Sequence, residues 1–210
     1  MPAALVLFGD VIRSRRDAPA ATDWLRTLTA DLNNAIPEPE RLALFEFTQG
    51  DELQGLLATG ANPLTPILRG TLHPEARPMR WVVVAGDVDP GRGPATQRSG
   101  AAFLAARERL AQANARRERV ALVSGDAPTD DLLEGLGPLL GELLADLTDR
   151  QREIAWLLLV DGLRRSDAAD RLGVSRATVS VAADRAHLRS IGELARALQT
   201  LLVRATMATP

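Results

Sequence analysis

One short run constrains the fold more than any other, "AADRLGVSRATVS", residues 168–180. Ala169 is small where two helices must cross closely, and Gly173 ends the first of them. Ser175 caps the second helix, while Val174 and Val179 point inward, with Ala182 and Ala186 one and two turns further on. That spacing leaves Arg176, Ala177, Ser180, Val181 and Asp184 on the outer face. The pattern predicts a helix-turn-helix whose second helix enters the DNA major groove. Plain three-helix packing without a DNA partner would use the same inward residues.

The flanks extend the pattern. Thr148, followed three residues later by Gln151, is a capping box and starts a helix that Gly162 stops. That helix is expected to bury Ile154, Trp156 or Leu157, and Leu158. Arg164, Arg165 and Ser166 open the next helix and suit phosphate anchoring, as do Arg185 and Arg189. Asp184 on the reading face would repel phosphate, or must accept from a cytosine. Leu147–Glu153 and Ala169–Ser180 resemble the "LT.RQRE" opening and "A..LGVS..TVS" core of sigma-factor region-four and LuxR-type modules. The final segment, "IGELARALQTLLVRA", aligns Ile191, Leu194, Leu198 and Leu201, for core packing or for a homodimer contact.

The first half alternates strand and helix signals in the order β-α-β-β-α-β-α-β. "AALVLFGD" reads as a buried strand, and "RLALFEFT" with "LQGLLA" reads as a hairpin. "RWVVVAGD" is the most strongly β-branched stretch and reads as a central strand. Helices are expected in "AATDWLRTLTADLNNAI", "TPILRGTLH" and "AAFLAARERLAQANARR", the last with Phe103, Ala106, Leu110 and Ala113 on one face. The order predicts an α+β, ferredoxin-like domain with its helices on one face of the sheet. Texture changes between Ser124 and Asp130, so the chain is divided at 1–127 and 128–210. The second part comprises a connector helix, or pair of helices, followed by the all-α helix-turn-helix domain.

Gly-Asp recurs at Gly9-Asp10, Gly50-Asp51 and Gly86-Asp87. In a ferredoxin-like sheet the first strand lies antiparallel beside the third, which brings Asp10 to Asp51. Two carboxylates there repel unless a divalent cation, Mg²⁺ with a nucleotide, sits between them, and a solvated turn is the alternative. Glu52 is expected on the opposite face of the strand. Arg13, Arg15 and Arg16 could neutralise a triphosphate, together with Arg92 and Arg98 of the Gly-rich loop. His73 and His187 have no sequence partners and read as structural.

"FGDVIRSR", "FTQGDELQGLL", "RWVVVAGDV" and "GAAFLAARERL", in this order, resemble the SatD family over most of residues 3–118. "GDEL" is similar, more distantly, to the GGDEF signature of diguanylate cyclases, though Gln49 stands where that signature has its first Gly. The SatD resemblance implies a palm-like domain joined to a helix-turn-helix, with a DNA-binding or regulatory role. The cyclase likeness implies metal-ligand roles for Asp10 and Asp51 and a secondary one for Glu52.

Bulk composition is permissive. There is no cysteine, which removes disulfides and thiolate metal sites. All 25 basic residues are arginine. Residues 148–210 carry 10 Arg against 7 acids, so the second half permits DNA contact without demanding it. The opening "MPAALVLFGDVIRSRRD" lacks a basic leader and a span-length apolar run, so a cytoplasmic protein that does not enter the membrane is expected. The expected function is a transcriptional regulator whose first domain binds a nucleotide or metal. Its rivals are a metal-dependent nucleotide cyclase, polymerase or hydrolase, and a non-catalytic adaptor.

Overall fold

The computed structural model describes residues 3–48 and 51–208. The described residues form an α+β structure, a five-stranded mixed sheet with eight α-helices. The strands are β1 (Ala3–Val11), β2 (Arg41–Phe47), β3 (Glu52–Ala58), β4 (Met79–Asp87) and β5 (Val120–Val123). Helices α1 (Ala18–Ala35), α2 (Leu64–Leu72) and α3 (Ala101–Arg116) connect them in the expected order. The sheet runs β2-β3-β1-β4-β5, antiparallel except for the parallel pair β4–β5.

The helices do not share one face. Odd-numbered Leu5, Leu7, Leu53, Leu57, Trp81 and Val83 face α1 and α2, while even-numbered Ala4, Val6, Phe8, Leu56, Val82 and Val84 face α3. Strands covered on both sides must be apolar at every position, which is what "LVLF" and "VVVA" show. The one-face expectation is corrected on that ground.

Downstream come α4 (Ala127–Ala145), α5 (Asp149–Ala155), a π-helical turn (Trp156–Val160), α6 (Arg165–Leu172), α7 (Arg176–Arg185) and α8 (Leu188–Ala208). The expected connector is one helix despite Pro138. Its glycines permit close approach: a Cβ at Gly141 would lie 2.9 Å from Arg119 Cβ and 3.0 Å from Val120 N. Gly137 likewise faces the Val120 carbonyl, so α4 covers the outer strand of the sheet.

The expected boundary falls at the β5–α4 connection, but one apolar core crosses it. Leu133, Leu140, Ile154, Val179, Ile191 and Leu198 join the same buried cluster as Leu25, Leu57 and Trp81. His73 sits between Trp24 and Trp156, with ring centroids 5.1 and 5.2 Å away, and Arg69 lies over the Trp156 ring while paired with Asp31 at 2.7 Å. The apolar stripe of α8 (Ile191, Ala195, Leu198, Leu202) is buried inside the molecule, which removes it as a free dimer face. Near its end the Thr206 hydroxyl reaches the Thr59 carbonyl at 3.5 Å.

A glycine in this core gives a clean test of the packing. A Cβ at Gly70 of α2 would stand 2.2 Å from Cζ2 of Trp81, itself fully buried against the sheet. In an exposed helix Gly→Ala stabilises, by up to about 1 kcal/mol. Here the ring must move, so Gly70→Ala should destabilise by roughly 1–3 kcal/mol in denaturant unfolding, and a stabilised variant would disprove this contact.

Candidate functional site

Antiparallel pairing gathers the chemistry at one end of the sheet. Asp10 closes β1, and the ladder sets it beside Arg80 of β4 and Glu52 of β3. The expected register is therefore corrected by one residue. Val11 N donates to the Asp51 carbonyl at 3.0 Å, so Asp51 lies just outside the ladder and Glu52 takes the position opposite Asp10. Directly opposed residues share a face. Glu52 is thus on the same side of the sheet as Asp10, where it accepts from Gln54 Nε2 at 2.7 Å and pairs with Arg107 at 3.7 Å. The Asp51 carboxylate turns to the Ser14 hydroxyl, which donates to it. Gly50 and Gln49 lie outside the described residues.

Around these acids opens a cleft of about 800 Å³. Asp10 and Asp51 line it together with Arg13, Arg15, Arg16, Arg80, Arg117 and Arg119. Six guanidinium groups against two carboxylates leave a net +4 wall, the balance that a polyphosphate requires. Arg80 is buried; its Nη1 donates to Asp10 Oδ2 at 3.0 Å and its Nε to the Glu118 carbonyl at 3.0 Å. Burial, then the neighbouring Asp51 charge, push the Asp10 carboxyl up to about 6 against the pull of Arg80.

Two of these arginines occupy left-handed backbone, Arg13 at φ 61° and Arg117 at φ 60°. Arg117 ends α3, a position where glycine is the usual residue. Two long charged residues held there, both on the same cleft, mark strain accepted at a site.

Arg13 and Arg15 join Asp10 as expected, but Arg92 and Arg98 do not. β1 and β4 are antiparallel, with Ala3 opposite Asp87 and Asp10 opposite Arg80. The Gly-rich loop leaves β4 at the far end, about 20 Å away along the strand. Arg98 lines a separate cavity with Asp89, Ser99 and Arg107, and Arg92 is exposed. Sequence reasoning missed Arg80, Arg117 and Arg119. Their only signal was position, each beside the first residues of β4 or β5 or the last of α3.

The acids suit a hard cation only in company. Among the described residues no group of three His, Cys, Asp or Glu side chains assembles. Mg²⁺ characteristically takes one or two carboxylates and completes its shell with water and substrate phosphates. Asp10 and Asp51 could supply those two, and the arginines the phosphate contacts.

A second candidate surface is the α6–α7 pair. Gly173 (φ 63°) ends α6, and the Ser175 hydroxyl accepts from Thr178 N at 3.1 Å to cap α7. Val179 and Ala183 are buried beneath α7, with Val174 partly covered. Arg176, Ala177, Val181, Asp184 and Arg185 are exposed and Ser180 is half-buried, so the outer face of α7 is as expected. Asp184 is engaged by Arg165 Nη2 at 2.8 Å, which draws one arginine from free phosphate contact and neutralises the misplaced acid. Arg189 pairs with Glu193 at 2.9 Å along α8. Arg164 precedes α6 as its N-terminal flank, and Ser166 donates to Asp167. No ion pair involves Arg176 or Arg185 among the described residues.

No protein-family model, curated protein or solved structure matches this chain. Among the described residues no helix is long and apolar enough to cross a membrane. The class its own geometry defines is an α+β protein with an arginine-walled carboxylate cleft and an exposed, capped helix pair.

Proposed function

We propose that the protein is a DNA-binding transcriptional regulator in which a ferredoxin-like, cyclase-related palm binds a nucleotide with a divalent cation. The observation that carries the DNA-binding half is the outer face of α7. It is a helix buried on one side by Val179 and Ala183, yet it presents unpaired Arg176 and Arg185 outward. Docked as the second helix of a helix-turn-helix, that face meets base edges while Arg164 reaches phosphates and Arg165 stays with Asp184. The nucleotide half is supported by the six-arginine cleft, and by the β2-β3-β1-β4 strand order, which two split βαβ units generate.

Sequencing of genomic fragments retained by the intact protein, with and without ATP or GTP and Mg²⁺, tests the reading. One recurrent motif is expected, and retention of no preferred sequence would refute the regulator. Arg176→Ala should cost about 1–3 kcal/mol on the preferred site and little on random DNA. Equal losses on both would remove α7 from the groove. The rival reading, an enzyme acting on nucleotides, draws on the raised Asp10 carboxyl inside the same cleft. Turnover of ATP or GTP with Mg²⁺ that disappears in Asp10→Asn would favour it.

A further inference from the structure

A different cavity, of about 160 Å³, lies where the sheet meets the C-terminal helices. Its apolar wall is built by Met79 and Trp81 of β4, Val120 of β5, and Leu144 and Ala145 of α4. Three guanidinium groups border it: Arg77 before β4, Arg119 before β5 and Arg152 of α5. No carboxylate lines it. The acids that meet two of these arginines lie outside: Asp149 reaches Arg152 at 3.3 Å and Asp17 reaches Arg77 at 3.5 Å, both well exposed and therefore weak competitors. Arg119 has no ion pair among the described residues, and the Thr71 hydroxyl on the same wall is free to donate.

We infer that this junction cavity binds a small monocarboxylate with an apolar body, of benzoate or hexanoate class. The volume sets the size, because a protein cavity of about 150 Å³ holds one benzene ring. The wall sets the character: indole, thioether and aliphatic groups favour an apolar body, and the unpaired Arg119 with the weakly paired Arg77 and Arg152 favours one planar anion, which guanidinium groups can meet by paired hydrogen bonds. A bare inorganic anion would leave the apolar wall unfilled, and a nucleotide would not fit. The site is distinct from the Asp10 cleft, sharing only Arg119 with it, and does not depend on the DNA-binding reading.

Trp81 reports on occupancy. The protein has three tryptophans, so its indole region in a proton–nitrogen correlation spectrum holds few resonances, assignable through Trp24→Phe and Trp156→Phe. Titration of the full-length protein with benzoate or hexanoate should shift the Trp81 signal saturably, with a dissociation constant on the order of 0.1–1 mM. Benzamide, isosteric but neutral, and inorganic phosphate should not. Arg152→Gln should weaken benzoate about tenfold or more, the loss of one charge-assisted contact, and Ala145→Leu should abolish binding by filling the cavity. If Ala145→Leu fails to fold, Arg152→Gln on the helix surface decides. The inference is overturned by no saturable shift with either acid at about 10 mM, ten times the weakest dissociation constant expected. It is equally overturned if phosphate gives the same shift, or if Arg152→Gln binds benzoate as the native protein does.

Discussion

Asp10→Asn is expected to make the protein more stable at neutral pH while abolishing its stabilisation by Mg²⁺ with ATP. Asp10 is the cleft carboxylate whose pKa stands at about 6 in the fold against 3.8 for a free aspartate. The folded state therefore holds this proton more tightly than the unfolded chain. The resulting stability is fully present below the unfolded value and is lost as pH rises through about 6. At neutral pH the ionised group is a net cost, because burial and Asp51 outweigh Arg80. Its side chain is still 24% exposed, and water screens part of that cost. Removing the charge should contribute about 1–2 kcal/mol, seen as a melting temperature raised by roughly 2–6 °C and a flatter pH profile between about 4 and 6. Asp51→Asn should lower the Asp10 pKa, since it deletes the larger of the two repelling charges, and should also lose the Mg²⁺–ATP response. Glu52→Gln should keep that response, because Gln54 and Arg107 already occupy its carboxylate. A stabilised but still cation-responsive Asp10→Asn would separate the electrostatic claim, which survives, from the metal assignment, which does not.

The second large effect concerns the boundary. A fragment of residues 130–210 keeps α5 to α8 and most of α4, and it is expected to retain helical circular dichroism. It should nevertheless melt at least 10 °C below the intact protein and bind hydrophobic dyes. The reason is that Leu133 and Leu140 of α4, with Gly137 and Gly141, pack on β5 and would be stripped of cover. The intact chain should unfold in one transition, as a shared core requires. Two separate transitions, one matching the fragment, would show that the halves fold independently despite that core.

Element order was legible because apolar runs, capping residues and glycine stops are local signals. Ser175, Gly173 and the Thr148–Gln151 box stand in the structure as the spacing requires. Register was not legible to one residue. Whether Asp51 or Glu52 faces Asp10 depends on the bond from Val11 N to the Asp51 carbonyl, a feature of the bend and not of side-chain type. The placement of α3 was readable in retrospect, since Val82 and Val84 are as apolar as Val83 and a one-sided sheet would not need them. The role of Gly137 and Gly141 was not legible, because glycine as a breaker and glycine as a contact surface look identical without the partner strand. The arginine wall came from three separate parts of the chain, and strand pairing, antiparallel for β1–β4 and parallel for β4–β5, brings them to one end of the sheet.

The way α8 closes the molecule bears on how the chain is made. Its buried residues, Ile191 to Leu202, complete a core whose adjoining walls belong to α4, α7 and α2, and Thr206 comes to rest on Thr59. A ribosome builds the chain in the opposite order, at about 5–20 residues per second. For several seconds the buried faces of α2 and α4, with Ile67 and Leu140, exist without the helix that packs on them. During that interval the nascent chain is a client for chaperones, and a stall before residue 188 would leave the α8-facing side of α2 and α4 bare.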